Sequence, residues 1–451
     1  MTALLASLLL QAAEPLGTWE GTLEAGPQKI RLVLKVRKEA DGALKGAVDV
    51  PGQGALGLAL DPFSWKGGEL RFEFKPAGFR FEGKLAEGGK RLEGRFRQAG
   101  LEFPLALEKT SDLALEAKRP QMPRPPFPYA VRDASFESVP GVRLSGTLTV
   151  PEGKGPHPAV VLVSGSGPQD RDESLMGHKP FLVLADHLTR KGIAVLRTDD
   201  RGFGKSTGDF ASATTEDFAR DTAAAVAWLR GQEGVDPARV GIAGHSEGGL
   251  VGPLVAAVDP KLAFLVLLAG PGVPGEAILL RQAELINRAA GQGDEAVRAN
   301  RRTQERIFKA IRGAADPDAA RREVAGILRE SLPPGSEAQA DRQAAATTTP
   351  WFRFFLAHDP RPVLSKVACP VLALCGEKDL QVDPKQNLPE IEKALRAGGN
   401  ARVEVRELPG LNHLFQTART GSPSEYGEIE ETFAPAALEA VSEWILRQGG
   451  R

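Results

Sequence analysis

Cysteine is nearly absent: Cys369 and Cys375 are the only two in 451 residues. They stand six positions apart around one apolar run, so an extended backbone separates them by roughly 20 Å, beyond disulfide reach. No metal-ligand spacing accompanies them, and a disulfide scaffold and a zinc module are both excluded. Charge of one sign is missing too, since 57 Lys and Arg face 58 Asp and Glu for a net charge of -1. That leaves no electrostatic footprint for nucleic acid or an anionic membrane. A bilayer-spanning run is also lacking. The uncharged stretch Met1 to Ala13 is too short to cross and fits the apolar region of a secretory signal, although it has no basic flank. A periplasmic or secreted protein is the expectation, with a cytoplasmic one the alternative.

At 42% hydrophobic and 25% charged residues, a chain of this length reads as two or three globular domains. After residues 1–13, residues 14–110 read as an antiparallel all-β domain of about eight short strands. Lys29 to Arg37, Glu69 to Lys75 and Phe79 to Gly83 alternate with period two, and Asp41-Gly42, Gly67-Gly68 and Gly88-Gly89 supply hairpin turns. The opening Gly17-Thr18-Trp19 resembles that of lipocalin-like barrels. Residues 111–129 are a proline-rich connector expected to run extended as a stiff spacer.

From residue 130 to 451 strands alternate with helices, which implies an α/β fold with a mostly parallel central sheet. Expected strands are Val142 to Val150, Ala159 to Val163, Ala194 to Leu196, Val240 to Ala243, Leu262 to Leu268, Val371 to Leu374 and Val403 to Val405. Thr215 is expected to cap a helix, and Phe181 to Lys191 and Ala436 to Arg447 are helices. About 274–350 the alternation breaks. That charged, Ala-rich stretch has helical pairs Ile307/Ile311 and Val324/Leu328, a break at Pro333-Pro334-Gly335 and no strand candidate. It reads as a helical cap whose helices bury little apolar area.

Strand, Gly244-His245-Ser246-Glu247-Gly248 and a small-residue helix form the context of a nucleophile elbow. A serine hydroxyl needs a base, and the base needs an acid to orient it; in this architecture they follow in the order Ser, acid, His. Histidine is scarce enough for elimination to work, because only His358 and His413 of six follow Leu250. His358 precedes the strand that should present the acid, which leaves His413. Asp379, just past the Val371 strand, is the expected acid, with Glu377 and Asp383 as competitors. The oxyanion hole should combine the backbone N–H of Glu247 with that of Ser166, and Gly165 is the second choice for the latter. The Glu247 side chain is expected to be incidental, and Asp199-Asp200-Arg201, Asp170-Arg171-Asp172 and His178 to brace loops.

These motifs resemble the α/β-hydrolase superfamily, and closely the EstD-type bacterial carboxylesterases and their serine-aminopeptidase-like relatives. The matching stretches are Ser164 to Asp172, Asp199 to Ser206, Gly244 to Gly248, Gly376 to Val382 and Asn412 to Gln416. The resemblance implies a cofactor-free, exported hydrolase of short acyl esters, with Ser246, Asp379 and His413 as its triad. One departure concerns the oxyanion loop, where the superfamily's common His-Gly pair is Ser164-Gly165. A serine aminopeptidase is the alternative and would need pocket carboxylates for an ammonium group. A non-catalytic binding protein on the same scaffold is the lesser one. Halide or epoxide chemistry would need Asp at position 246.

Overall fold

The computed structural model describes residues 14–25, 28–39, 41–50, 55–86, 88–98, 100–110, 119–332 and 336–448. The expected signal stretch, the first part of the connector (111–118) and the Pro333-Pro334-Gly335 break lie outside the described residues. The chain forms two compact units that divide between Lys118 and Arg119.

The first unit is one antiparallel sheet: β1 (Gly17–Ala25), β2 (Gln28–Lys38), β3 (Leu44–Val50), β4 (Ala55–Ala59), β5 (Phe63–Lys66), β6 (Glu69–Phe74), β7 (Phe79–Leu85), β8 (Arg91–Gln98) and β9 (Leu101–Thr110). Their order is β4-β3-β2-β1-β9-β8-β7-β6-β5, with the short β5 making one strand more than expected. Gly67 and Gly68 take φ of 58° and 85°, the two left-handed positions that a two-residue hairpin requires. The sheet curls because its ends meet: a Cβ on Gly46 of β3 would lie 2.3 Å from the Phe63 ring of β5. Inside, Trp19, Leu34, Leu70, Phe81 and Leu92 are fully buried, and Phe72 stacks on Phe81 at 5.1 Å.

The second unit has a sheet of β10 (Tyr129–Val139), β11 (Val142–Pro151), β12 (His157–Val163), β13 (Ala194–Thr198), β14 (Val235–His245), β15 (Leu265–Leu268), β16 (Val371–Gly376) and β17 (Val403–Leu408). Its order is β10-β11-β13-β12-β14-β15-β16-β17. The first two pairings are antiparallel and the other five parallel. β12, β14, β15 and β16 are buried on both faces, hence their unbroken Val, Leu, Ile and Ala runs. Helices α1 (Pro180–Arg190), α2 (Thr215–Arg230) and α3 (Gly248–Ala256) follow β12, β13 and β14. An insertion of α4 (Gly275–Ala289), α5 (Asp294–Gly313), α6 (Pro317–Ser331), α7 (Glu337–Thr347) and α8 (Pro350–Ala357) separates β15 from β16. The short α9 (Arg361–Leu364), then α10 (Pro384–Ala397) and α11 (Pro435–Arg447), complete the helices.

Four expectations are corrected. β10 went unread because it is an edge strand whose exposed Arg132, Asp133 and Glu137 dilute the apolar signal. The cap of α2 is Thr214, which forms a capping box with Asp217; the Thr215 hydroxyl instead donates to Glu247 at 2.7 Å. From Arg119 the connector is no free spacer. Its guanidinium donates to the carbonyls of Met176, Gly427 and Ile429, and Gln121 bonds the backbone of Thr432 and Phe433. The insertion, finally, has a core of its own, made by Ile307, Phe308, Ile311, Val324, Ile327 and Leu356.

If that core holds the insertion together, Ile311→Ala costs about 2–5 kcal/mol locally. The readout is amide hydrogen exchange, which should quicken across α5 and α6; unchanged exchange there would contradict the packing.

Candidate active site

β14 delivers its last residues into a turn with almost no room. A Cβ on Gly244 would lie 2.0 Å from the Gly248 carbonyl oxygen, and one on Gly248 would lie 2.2 Å from that of Val163. Only glycine fits at both places. Ser246 between them adopts φ 53°, a left-handed backbone that costs about 1–3 kcal/mol for a side-chain-bearing residue. Its N–H donates to the Leu268 carbonyl at 2.8 Å, and its own carbonyl accepts from Gly249 at 2.8 Å as α3 begins. The backbone N–H groups of Glu247 and Ser166 donate to no other described residue. That of Gly165 is taken, by Glu173 Oε1 at 2.8 Å.

Asp379 lies past the end of β16. Its Oδ1 accepts from the N–H groups of Gln381 and Val382, both at 2.8 Å, and its Oδ2 lies 2.8 Å from His413 Nδ1. Both side chains are buried. The loop bearing His413 is shaped by buried Asn412, whose Oδ1 accepts from Leu414 and Gln416. The competing acids are engaged elsewhere. Glu377 accepts from Gly410 N–H, and Asp383 caps α10 and pairs with Arg281. His358 stacks on Phe354 at the end of α8. Ser246, His413, Ser166, Gly165 and Glu247 border one cavity of about 330 Å³, with Ile278, Leu279, Trp351 and Phe355 of the insertion in its wall. Among the described residues no hydrogen bond joins Ser246 to His413. A larger cleft of about 560 Å³ in the β-rich unit is bordered by Glu73, Arg80, Arg97 and Glu102 and contains no serine or histidine.

Two side chains beside Ser246 were not read from the sequence as site residues. His245 is buried with Nδ1 2.8 Å from Glu173 Oε1 and Nε2 3.0 Å from the His413 carbonyl oxygen. Burial opposes its charged form, but the Glu173 carboxylate and the hydrogen bonds outweigh it and raise the pKa. The Glu247 side chain is not incidental. It is buried and accepts from Thr215 Oγ1 and from Trp351 Nε1, both at 2.7 Å. Burial pushes its pKa up despite those bonds. The signal available in the sequence was the histidine within the elbow itself, which once buried needs an acidic partner, and the acid-rich run Asp170 to Glu173.

The surrounding polar residues act as braces. Arg171 pairs with Asp199 at 2.7 Å, Arg201 with Asp221 at 2.7 Å, and Asp172 with Arg197 and Lys179. Asp200 accepts from Ser164 Oγ and Gln169 N–H, and burial raises its pKa to about 8. His178 joins the same loop to the C-terminal segment, with ring nitrogens 2.8 Å from Thr432 Oγ1 and 2.8 Å from the Tyr426 carbonyl oxygen. Among the described residues no group of three His, Cys, Asp or Glu is placed to hold a metal ion, and no helix is long and apolar enough to cross a membrane.

Burial, with the Arg119 charge adding to it, lowers the pKa of His178 from 6.5 to about 4. Between those values the unfolded chain binds a proton that the folded chain does not, so the contribution of His178 is complete above pH 6.5 and lost as pH falls towards 4. The melting temperature should therefore drop across that window, and drop less in His178→Gln. Equal slopes in the two proteins would rule His178 out as the source.

A model of the X-Pro dipeptidyl-peptidase (S15 family) matches residues 140–403, more than half of the chain. Esterase EstD of Thermotoga maritima is 26% identical over 308 residues, which cover 67% of this chain and 66% of EstD, just under two thirds of its length. Thiohydrolase aneE of Aspergillus aculeatus is 28% identical over 174 residues, 36% of this chain and 51% of its own. Among solved structures, the Pyrococcus furiosus esterase Pf2001 aligns over 71% of this chain and 92% of its own, at 16% identity and a TM-score of 0.43. The family match, joined to a mostly parallel sheet with a Gly-x-Ser-x-Gly elbow between strand and helix, makes the chain an α/β-hydrolase that belongs to the X-Pro dipeptidyl-peptidase (S15) family.

Proposed function

We propose that the protein is a serine carboxylesterase that cleaves short acyl esters through an acyl-enzyme. The observation that carries this reading is the Asp379–His413 hydrogen bond of 2.8 Å, whose imidazole borders the same cavity as Ser246. His413 Nε2 takes the Ser246 proton as Oγ attacks the ester carbonyl, while Asp379 holds Nδ1–H and stabilises the imidazolium. The free N–H groups of Glu247 and Ser166 serve the developing oxyanion. The alcohol leaves with the proton from His413, and water, deprotonated by the same base, releases the acid and restores Ser246.

Substrate class follows from what the cavity presents. Its volume is near the lower end of the roughly 300–1,000 Å³ usual for small-molecule sites, and the insertion supplies an apolar wall of Ile278, Leu279, Trp351 and Phe355. The insertion acts here as a cap that favours short acyl chains. EstD, 26% identical to this chain over 308 residues, is by name an esterase. The family description favours a peptidase instead, and a substrate's terminal ammonium would then need an unmatched carboxylate. Glu173 and Glu247 are the acids bordering the cavity. The first is paired with His245, and the second is held by Thr215 and Trp351 while burial shifts it towards its neutral form. Uncharged esters fit this lining better.

The test is a panel of p-nitrophenyl esters of increasing acyl length beside aminoacyl and X-Pro p-nitroanilides. Acetate and butyrate should be cleaved well, longer chains poorly and the anilides least; faster cleavage of the anilides would reverse the assignment. Ser246→Ala and His413→Ala should each lower kcat by about 10⁶, and Asp379→Asn somewhat less. Substantial turnover by folded His413→Ala would contradict the triad.

A further inference from the structure

We propose that Glu173 is a positioning residue of the reaction, one buried carboxylate that sets both the oxyanion loop and the loop bearing His413. The inference rests on the serine-hydrolase reading. Glu173 Oε1 lies 2.8 Å from the Gly165 N–H nitrogen and 2.8 Å from His245 Nδ1. His245 Nε2 in turn lies 3.0 Å from the backbone carbonyl oxygen of His413. Three hydrogen bonds thus connect the stretch before Ser166, the residue before Ser246 and the peptide of the base.

The charges fit that role. Both ring nitrogens of His245 face oxygens, an arrangement that an imidazolium satisfies, and the Glu173 carboxylate raises the pKa of the ring against its burial. Glu173 is its counter-charge, and charge-assisted bonds of this kind are about twice as strong as neutral ones. The carboxylate is itself held in place. Glu173 has φ 53°, within a turn in which Asp170 accepts from the N–H groups of Asp172, Glu173 and Ser174.

The consequence for chemistry lies in Gly165. Its N–H is committed to Glu173, and the N–H of the next residue, Ser166, is left free. A Cβ at Gly165 would come 3.2 Å from the Cβ of Ser246, so this backbone lies directly on the nucleophile. A shift of the loop moves an oxyanion donor, and a shift of the His413 peptide moves the base. Both groups act mainly in the transition state, so loss of Glu173 should appear in kcat rather than in KM. A pair that served only to stabilise the fold would change melting temperature and leave the folded enzyme's kcat alone.

The test compares Glu173→Ala, Glu173→Gln and Ser246→Ala with the wild-type full chain, on p-nitrophenyl butyrate, with melting temperature measured alongside. Glu173→Ala should lower kcat about 10²-fold, the cost of misplacing a reacting group by about 1 Å, with KM within about threefold. Glu173→Gln keeps an acceptor for Gly165 but lacks the charge, and should recover kcat to about tenfold below wild type. Wild-type kcat in folded Glu173→Ala, or a loss confined to KM, overturns the proposal. If the alanine variant does not fold, the glutamine variant decides by the same criteria. Inactive Ser246→Ala beside an unimpaired Glu173 variant refutes only the positioning role, whereas full turnover by Ser246→Ala refutes the hydrolase reading itself.

Discussion

Ser246 is held in a left-handed backbone conformation because strand β14, strand β12 and helix α3 meet with no space between them. The contacts that would clash with a side chain at Gly244 or Gly248 are backbone carbonyls, which cannot swing aside as a flexible side chain could. The fully buried strands behind the turn supply the packing that keeps it strained. From that point the rest of the site can be placed. The hydroxyl borders the cavity, the helix beginning beneath it leaves the Glu247 N–H unclaimed, and the loop after β12 lies against the serine through Gly165.

Around this point the protein buries several acids, and each is given hydrogen-bond donors. An unpartnered buried carboxylate would lose its proton only at great cost, so bonds and neighbours decide its state. Asp379 has two N–H donors and the His413 ring, and Glu173 has an N–H and the His245 ring. Asp200 and Glu247 have neutral donors, and burial raises both of their pKa values. Two successive residues of the loop after β12 are thereby tied to two acids: Ser164 to Asp200 and Gly165 to Glu173. The Trp351 bond extends the same network into the insertion. Catalytic geometry on the serine-hydrolase reading is therefore inseparable from where these charges can be accommodated.

Much of this was legible in the sequence where a local rule determined the outcome. Apolar runs located the central strands because those strands are covered on both faces. The paired glycines marked the elbow, and histidine scarcity left His413 as the base candidate, which the structure places against Asp379. What was not legible depends on contacts between distant segments. Glu173 and His245 are 72 positions apart, and Trp351 and Glu247 are 104. Gly165 and Ser166 were both candidate donors until a side chain eight residues further on was seen to take the Gly165 N–H. The insertion looked polar because its helices face solvent on one side, whereas the residues that form its core come from separate helices. Edge strand β10 was missed because five of its eleven residues are exposed, three of them charged, which breaks up the apolar pattern.

The central claim is that Ser246 is a nucleophile activated by His413. The most direct measurement is covalent labelling with a fluorophosphonate, with the modified residue located by peptide mass spectrometry. Wild-type protein should take up one equivalent, on Ser246, and folded His413→Ala should label far more slowly. Label on another residue, or equal rates in the two proteins, would contradict the account.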